Sequence, residues 1–498
     1  MSVVGIKIDS AEAMRIAGGG SRPMALKNGE LETRESVNSQ SRESLEKSGV
    51  RYCFASYVDA NGVMKGKAVP IDHFDRMMRG SEMYTGAALD GLGQSPDDDE
   101  LAAHPDPAAV IQLPWRPEVA LAPSFLKYHD EPWPMCSRTV LQRQIDRAAT
   151  LGLQLNLGIE CEVFIVRRDG NRIEPNNPLD NISKTAYDVQ LTLENYDFLD
   201  ECVSAMNDLG WEVYSFDHED ANGQFEFDFS YTDVMTMADR FMLWRLMMKE
   251  IARKYGWEAT FMPKPYADRT GSGAHFNMSL ADLKTGKNIS GDRNDPRGLG
   301  LSKVAYQFFG GVMKHAEAIV AVTCPTVNSY KRLIKTGSMT GYTWAPIFVS
   351  YGGNNRTHMM RVPALRPQIE GDGPEQHGVN LSAARWECRA VDTTVNPYLG
   401  AAMMLGAGLD GIENDLDPGD PIDLNMYELS QAQLDELGVR TLPPTLLHAI
   451  EAFAADSLGR TVMGDDLFES FIKLKTEEWW DYHNAISDWE IERYLTKF

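Results

Sequence analysis

From Arg51 the chain alternates apolar and polar residues through RYCFASYVD, turns at Ala60-Asn61-Gly62 and alternates again through VMKGKAVP, which predicts a β-hairpin at the Asn-Gly step. A small β-rich domain is expected over 47–130, closing in a connector with Pro114, Pro117, Pro123, Pro132 and Pro134. RTVLQRQIDRAATLGL then takes up helical periodicity, so a second domain, 131–498, is expected to begin there. LDECVSAMNDLG and ADRFMLWRLMMKEIARKYG are further amphipathic helices, whose Met242, Met247 and Met248 read as core rather than as contacts to a cofactor. Residues 1–46, with Gly18-Gly19-Gly20 and a serine-rich polar run, read as a weakly ordered extension with room for one short helix.

Four predicted strands carry polar groups on one face. In LNLGIECEVFIV, Glu160 and Glu162 are two residues apart, which on one strand points both carboxylates the same way, about 7 Å apart. GQFEFDF sets Glu226 and Asp228 against three phenylalanines; AHFNMSL aligns His275, Asn277 and Ser279; ARWECRA aligns Arg385, Glu387 and Arg389. Singly, each reads equally as a half-solvated strand with its polar side outward. Together they supply hard and borderline ligands suited to Mg²⁺ or Mn²⁺, and arginines suited to clamping an anion, the mixture that metal-assisted phosphoryl transfer requires.

Composition narrows the partners. Across 498 residues, 72 acidic side chains face 48 basic ones, a net charge of −24, which argues against generic binding to nucleic acid or an anionic membrane. The six cysteines have no CxxC spacing, so neither a zinc cluster nor a disulfide framework is expected, and a reducing, cytoplasmic setting fits. There is no basic-then-apolar leader and no run long enough to span a bilayer, so no membrane association or export is expected. A P-loop is absent, and Gly271-Ser272-Gly273 is too short a glycine motif to imply a dinucleotide site.

The ordered motifs GIECEVF, HEDANGQFE, ATFMPKP, GSGAHFNMS, NSYKRL, NNRTHMMRVP and RWECRAVDTTVNPYLG resemble those of the glutamine synthetase family, from about residue 47 to the end. The resemblance implies an α+β fold: an N-terminal β-grasp domain and a catalytic domain whose curved antiparallel sheet forms a funnel. It also implies ATP and two or more Mg²⁺ or Mn²⁺ ions per active site, with L-glutamate and an amine as substrates. A ring oligomer, expected to be a dodecamer, would place active sites between subunits. Carried over motif by motif, Glu162, Glu219 and Glu226 resemble the ligands of the metal near glutamate, and Glu160, His275 and Glu387 those of the metal gripping the ATP phosphates. Arg356, Arg361 and Arg385 resemble the phosphate-contacting arginines, with Asn277 and Ser279 on the same nucleotide side; Arg332, Arg389 and Gly271 resemble the glutamate-holding groups. Arg356, Glu387 and Arg389 are thereby the candidate catalytic residues.

Two departures bear on the nucleophile. Where the family has an Asp-Gly-Ser-Ser latch this chain reads Tyr84-Thr85-Gly86-Ala87-Ala88, and where it has a flap glutamate before Ala-Pro this chain has Trp344, after the loop IKTGSMTGYTW. Both carboxylates that would hold ammonium are replaced, so a primary amine such as methylamine, another alkylamine or aniline is expected, with Trp344 and Tyr84 offering aromatic surface. The pattern resembles the branch holding γ-glutamylmethylamide synthetases, third-type glutamine synthetases and γ-glutamylanilide synthases. Asp90, the run Asp97-Asp98-Asp99-Glu100 and Asp220 are candidate bases, against the plainer reading of a solvated acidic loop. Asn277 stands where many relatives have a second histidine and Thr270 where they have asparagine, while Tyr427 reads as a packing residue. A glutamine synthetase using ammonia and a non-catalytic structural relative are the alternatives.

Overall fold

The computed structural model describes residues 41–170, 172–337, 341–365 and 380–498. Most of the N-terminal extension therefore lies outside the described residues, as do positions 338–340 of the long loop before Trp344. The described part of the extension begins the helix Arg42–Lys47, capped by Ser41, whose hydroxyl accepts from the Ser44 amide.

The predicted hairpin forms. Strands β1 (Tyr52–Val58) and β2 (Met64–Pro70) pair antiparallel about a turn in which Gly62 takes φ 76°, a conformation that favours glycine. The other strands of this first sheet are β3 (Glu82–Tyr84), β4 (Leu101–Pro105), β5 (Ile111–Leu113), β6 (Arg116–Tyr128) and β7 (Glu131–Pro132). The order β2-β1-β6-β4-β3, with β1 and β6 parallel, gives the mixed sheet of the β-grasp. Its Pro-rich stretch is largely strand: β6 carries Pro117 and Pro123, and β7 ends at Pro132.

Beyond the helix Ser137–Thr150 come two further sheets. One has the order β10 (Arg172–Pro175), β9 (Cys161–Asp169), β12 (Gln224–Phe229), β11 (Val213–His218), with β14 (Glu258–Thr260) also on β9. The other runs β13 (Thr232–Asp233), β8 (Leu153–Ile159), β15 (Phe276–Asp282), β18 (Trp386–Cys388), β17 (His358–Val362), β16 (Phe348–Gly353), β19 (Arg440–Thr441). The surface is curved and almost entirely antiparallel, as expected; the exception is β16, which runs parallel to β17.

The helices Tyr196–Asp208 and Val234–Lys254 form where periodicity places them, and Met242, Met247 and Met248 are buried in the core. The helix Pro397–Glu413 lies against Lys303–Lys314 so closely that a Cβ on Gly311 would fall 2.0 Å from the Ala407 carbonyl oxygen, a contact only glycine permits. All six cysteines are buried free thiols. Among the described residues, no helix is long and apolar enough to cross a membrane.

Buried His315 ties three helices together: Nδ1 meets Asp456 at 2.7 Å and Nε2 meets Asp410 at 3.0 Å. Although burial alone would lower its pKa, the two carboxylates outweigh burial and raise it above 6.5. A raised folded pKa gives stability that is complete below the unfolded value and lost as pH climbs through the folded one. His315→Asn should therefore cost about 1–2 kcal/mol at pH 6. Unfolding midpoints of the two proteins should converge from pH 6.5 upward; a gap that does not depend on pH would assign His315 a packing role only.

Candidate active site

The four polar faces converge where the second and third sheets meet. Glu160 and Glu162 do not share a strand: β8 ends at Ile159, β9 begins at Cys161, and Glu160 is the residue between them, its amide donating to the His275 carbonyl at 3.2 Å. The chain changes sheets at Glu160, so this carboxylate serves the third sheet while Glu162 serves the second.

In the third sheet Asn277, Glu387 and Arg361 are consecutive cross-strand partners on β15, β18 and β17. Candidate ligand atoms of Glu160, His275 and Glu387 all lie within 4.8 Å of one another. His275 Nδ1 is 2.7 Å from Glu160 Oε2 and 3.5 Å from Glu387 Oε1, while Asn277 Nδ2 donates to Glu160 Oε1 at 3.0 Å. Glu387 is fully buried between two guanidiniums, Arg361 Nη1 at 2.5 Å and Arg389 Nη1 at 2.6 Å. Burial, then Arg389, pushes the His275 imidazole well below its ordinary pKa, so at neutral pH it keeps a lone pair for a ligand.

In the second sheet Glu162, Glu226 and Asp217 stand directly opposite one another across β9, β12 and β11. Two carboxylates about 5 Å apart repel by about 3 kcal/mol at an effective dielectric constant of about 20. Burial comes on top of this. Glu162 and Glu226 are pushed well above the usual carboxylate range by burial and by neighbouring carboxylates. Glu219 is raised to about 7, Asp228 to about 7 and Asp217 to about 6, burial being the largest cause in each case. Raised pKa values of this kind favour protonated carboxylates, with which a bound divalent ion would compete. Among the described residues the group whose ligand atoms lie close enough to hold such an ion is Glu160, His275 and Glu387; Glu162, Glu219 and Glu226 are not brought together as closely. Gln224 Nε2 fixes Glu162 from one side, donating to its Oε2 at 2.8 Å.

Arg332 and Arg389 are buried at the same place; Arg332 Nη2 lies 3.4 Å from both His275 Nε2 and the Arg389 carbonyl oxygen. Arg385 is exposed and donates to Asn277 Oδ1 at 3.2 Å, and Arg356 sits in the exposed turn between β16 and β17, near enough to Tyr187 to bear on its phenol. Ser279 is two residues further along β15, buried and opposite Asn156. Gly271 lets Pro263 approach: a Cβ there would stand 2.3 Å from its carbonyl oxygen.

The amine-side departures resolve differently from one another. Trp344 is 37% exposed, at φ 54°, its ring 5.5 Å from that of Tyr342. Tyr427 Oη donates to the Ala345 carbonyl at 2.7 Å, the packing role expected of it. Tyr84 supplies no aromatic surface within this chain: it is buried against Tyr57, takes a hydrogen bond from the Lys67 amide and gives one to the Ala55 carbonyl. Asp98 serves its own loop, accepting from the Ser95 amide, and Asp99 pairs with His129 in the turn between β6 and β7. Asp220, by contrast, follows Glu219 directly and accepts from Thr270 Oγ1.

Residues outside the sequence-based set also build the site. Asp217 was accessible from period-two alternation with Glu219, but Gly273 needed the structure: a Cβ there would fall 2.6 Å from His275 Nε2 and 2.7 Å from Arg332 Nη2. Gly273→Ala should displace both groups and lower kcat/KM by about 100-fold. Steady-state kinetics beside an unfolding curve would check this, and an unchanged kcat/KM would show that the ring has room to move.

The sequence profile described as glutamine synthetase, catalytic domain, matches residues 134–494. The chain is 37% identical to the glutamate–methylamine ligase of Methyloversatilis universalis, covering 92% of this chain and 99% of that one. It is 38% identical to a glutamine synthetase of Rhizobium meliloti, covering 89% and 96%. A solved GmaS/ADP complex superposes with a TM-score of 0.82 at 37% identity over 92% of this chain and 99% of that one, and apo GmaS without ligand with 0.81 at 36%. The buried carboxylates, the neutral histidine and the arginines lie on the curved sheet of the fold that these structures share. The chain belongs to the glutamine synthetase family and is an ATP-dependent carbon–nitrogen ligase.

Proposed function

We propose that this enzyme joins the side-chain carboxylate of L-glutamate to a small primary amine, through a γ-glutamyl phosphate formed from ATP. The observation that carries this reading is the pairing of the Glu160–His275–Glu387 cluster with Trp344, rather than a carboxylate, before Ala345-Pro346. The likeness to a glutamate–methylamine ligase supports it.

In this reading Glu160, His275 and Glu387 hold the ion on the ATP phosphates, and Glu162, Glu219 and Glu226 the ion beside glutamate. Those ions would neutralise charge as the phosphoryl group passes to a carboxylate oxygen. The protein's own cations do the rest. Arg361 is pre-aimed by Glu387 towards the phosphates, with Arg356 and Arg385 closing from exposed turns and Asn277 and Ser279 lining the nucleotide side. Arg389 and Arg332 orient the carboxylates of glutamate beside the Gly271 backbone. An alkylamine arrives protonated, and Asp220, braced by Thr270, is the group we assign to take its proton.

We further propose the division into an extension (1–46), a β-grasp domain (47–130) and a catalytic domain (131–498), and assembly into a dodecameric ring. Exposed Trp480 and Trp489, on the helices Asp465–Asn484 and Asp488–Tyr494, with Ile486 between these helices and Leu495 and Phe498 after them, are the apolar surface such an assembly would cover.

The deciding experiment is phosphate release from ATP with glutamate and Mg²⁺ in the presence of ammonia, methylamine, ethylamine or aniline at matched concentrations. Fastest release with an organic amine is expected. Preference for ammonia would favour the second reading, a glutamine synthetase with a differently built ammonium pocket, which the Rhizobium meliloti relative supports.

A further inference from the structure

One side of the long helix Val234–Lys254 carries Arg245, Lys249 and Arg253, each four residues from the next and so about 6 Å apart along the axis. All three line a cleft of about 490 Å³ whose other walls include Phe261, Pro263, Thr326 and Asn328. In a chain of net charge −24 this concentration of positive charge needs an explanation.

The neighbouring acids each have partners outside this stripe. Glu258, on the rim, is held by Arg168 at 2.9 Å, and Glu250 accepts from Arg116 at 2.7 Å as well as from Arg253 at 3.3 Å. At the rim Arg116, Arg168, Arg245, Lys249 and Arg253 face Glu118, Glu250 and Glu258, while on the inner side Arg245 is acted on by Asp392 and Asp59, of which Asp392 accepts from Thr394 and Asp59 pairs with Lys65. Arg245 Nε is buried with no hydrogen-bond partner, and its Nη1 reaches only the Val395 carbonyl, at 3.3 Å, and the Met242 sulfur. Burial and the flanking Arg245 and Arg253 lower the pKa of Lys249, and burial lowers that of Arg245 to about 10. Like charges held a helical turn apart repel one another, and a bound anion would remove that repulsion.

We propose that Arg245, Lys249 and Arg253 form an anion site, separate from the reacting groups, for a small polyanion whose carboxylate or phosphate groups lie about one helical turn apart. Its wall is continuous with the glutamate arm of the active site. Asn328 Oδ1 accepts from the Lys264 amide at 2.8 Å and Asn328 Nδ2 donates to the Lys264 carbonyl at 3.1 Å; the Pro263 carbonyl accepts from the Ser272 amide at 2.9 Å. The segments touched by the anion therefore carry both Gly271-Ser272-Gly273 and the helix Ser329–Arg332. Occupancy acts on the KM for glutamate, a consequence that rests on the ligase reading above; the binding site does not depend on it.

Binding is measured first, by calorimetry on the metal-free, substrate-free full chain, with citrate and tripolyphosphate as separate probes. The tighter probe distinguishes carboxylate from phosphate chemistry. Lys249→Gln and Arg253→Gln, both at the helix surface, should each weaken the better probe about tenfold while leaving ATP turnover without probe unchanged. Binding of both probes that survives both substitutions, or no binding to the parent, overturns the site. Loss of oligomer in the double variant, seen by sedimentation, would also overturn it, assigning the cations to an acidic segment of a second copy.

Discussion

His275→Ala is expected to abolish ATP turnover, by a factor of about 10³ or more, which corresponds to about 4 kcal/mol of transition-state stabilisation. The imidazole contacts Glu160, stands 3.5 Å from Glu387 and is kept neutral by burial beside Arg389. Its removal takes the one nitrogen donor from the Glu160–His275–Glu387 cluster and leaves Glu387 paired to Arg361 and Arg389. The fold should therefore persist, with an unfolding midpoint within a few degrees of the parent. Glu387→Ala should also abolish turnover, but with a different signature. Two buried guanidiniums would then face each other without their carboxylate, at a cost of about 3–5 kcal/mol. Turnover assays paired with unfolding curves separate the two cases, and near-normal turnover in either variant would remove the site assignment.

That site was largely legible because strand alternation is a strong signal. Phe225, Phe227 and Phe229 are all buried while Glu226 and Asp228 face the cluster, as period two requires. His275, which precedes β15, and Glu387 on β18 were found the same way, from local text alone. What alternation could not convey is where a strand ends. LNLGIECEVFIV reads as one strand with a polar face, yet the chain changes sheets at Glu160, because Leu155–Ile159 pair with β15 and Cys161–Phe164 with β12. Pairing of that kind is a long-range property. The same holds for Tyr84: its sequence neighbours suggest an altered latch, but its hydroxyl is committed to β1 and β2, which no local pattern records.

Close approaches were equally hidden. Gly273 looks like half of a weak glycine motif, and only the position of the His275 ring and Arg332 shows what the missing side chain makes room for. The basic stripe on Val234–Lys254 has the same character. Arg245, Lys249 and Arg253 are visible in the text, but that Glu250 is shared with Arg116, Glu258 is held by Arg168 and the Arg245 Nε is buried without a hydrogen-bond partner appears only in the structure.

Trp344→Glu should raise the use of ammonia relative to methylamine by at least about tenfold. Trp344 holds a left-handed backbone, φ 54°, at the end of a loop pinned by Tyr427 through Ala345, so a new side chain at this position inherits a fixed direction. Two effects then push the same way. Loss of the indole removes apolar contact with the methyl group, about 0.8 kcal/mol for one buried carbon. The new carboxylate offers ammonium a charge-assisted hydrogen bond of about 1.5–3 kcal/mol, and a substituted amine, with one N–H fewer, makes less of it. The first effect supplies about 0.8 of the ~1.4 kcal/mol that a tenfold ratio needs, and the remaining ~0.6 kcal/mol is the part of the second that ammonium gains over methylammonium. The check is kcat/KM for both amines at saturating glutamate and ATP. A ratio equal to the parent's would place Trp344 outside the amine pocket and leave the choice of nucleophile to groups such as Asp220 and Thr270, whose contact is independent of the loop.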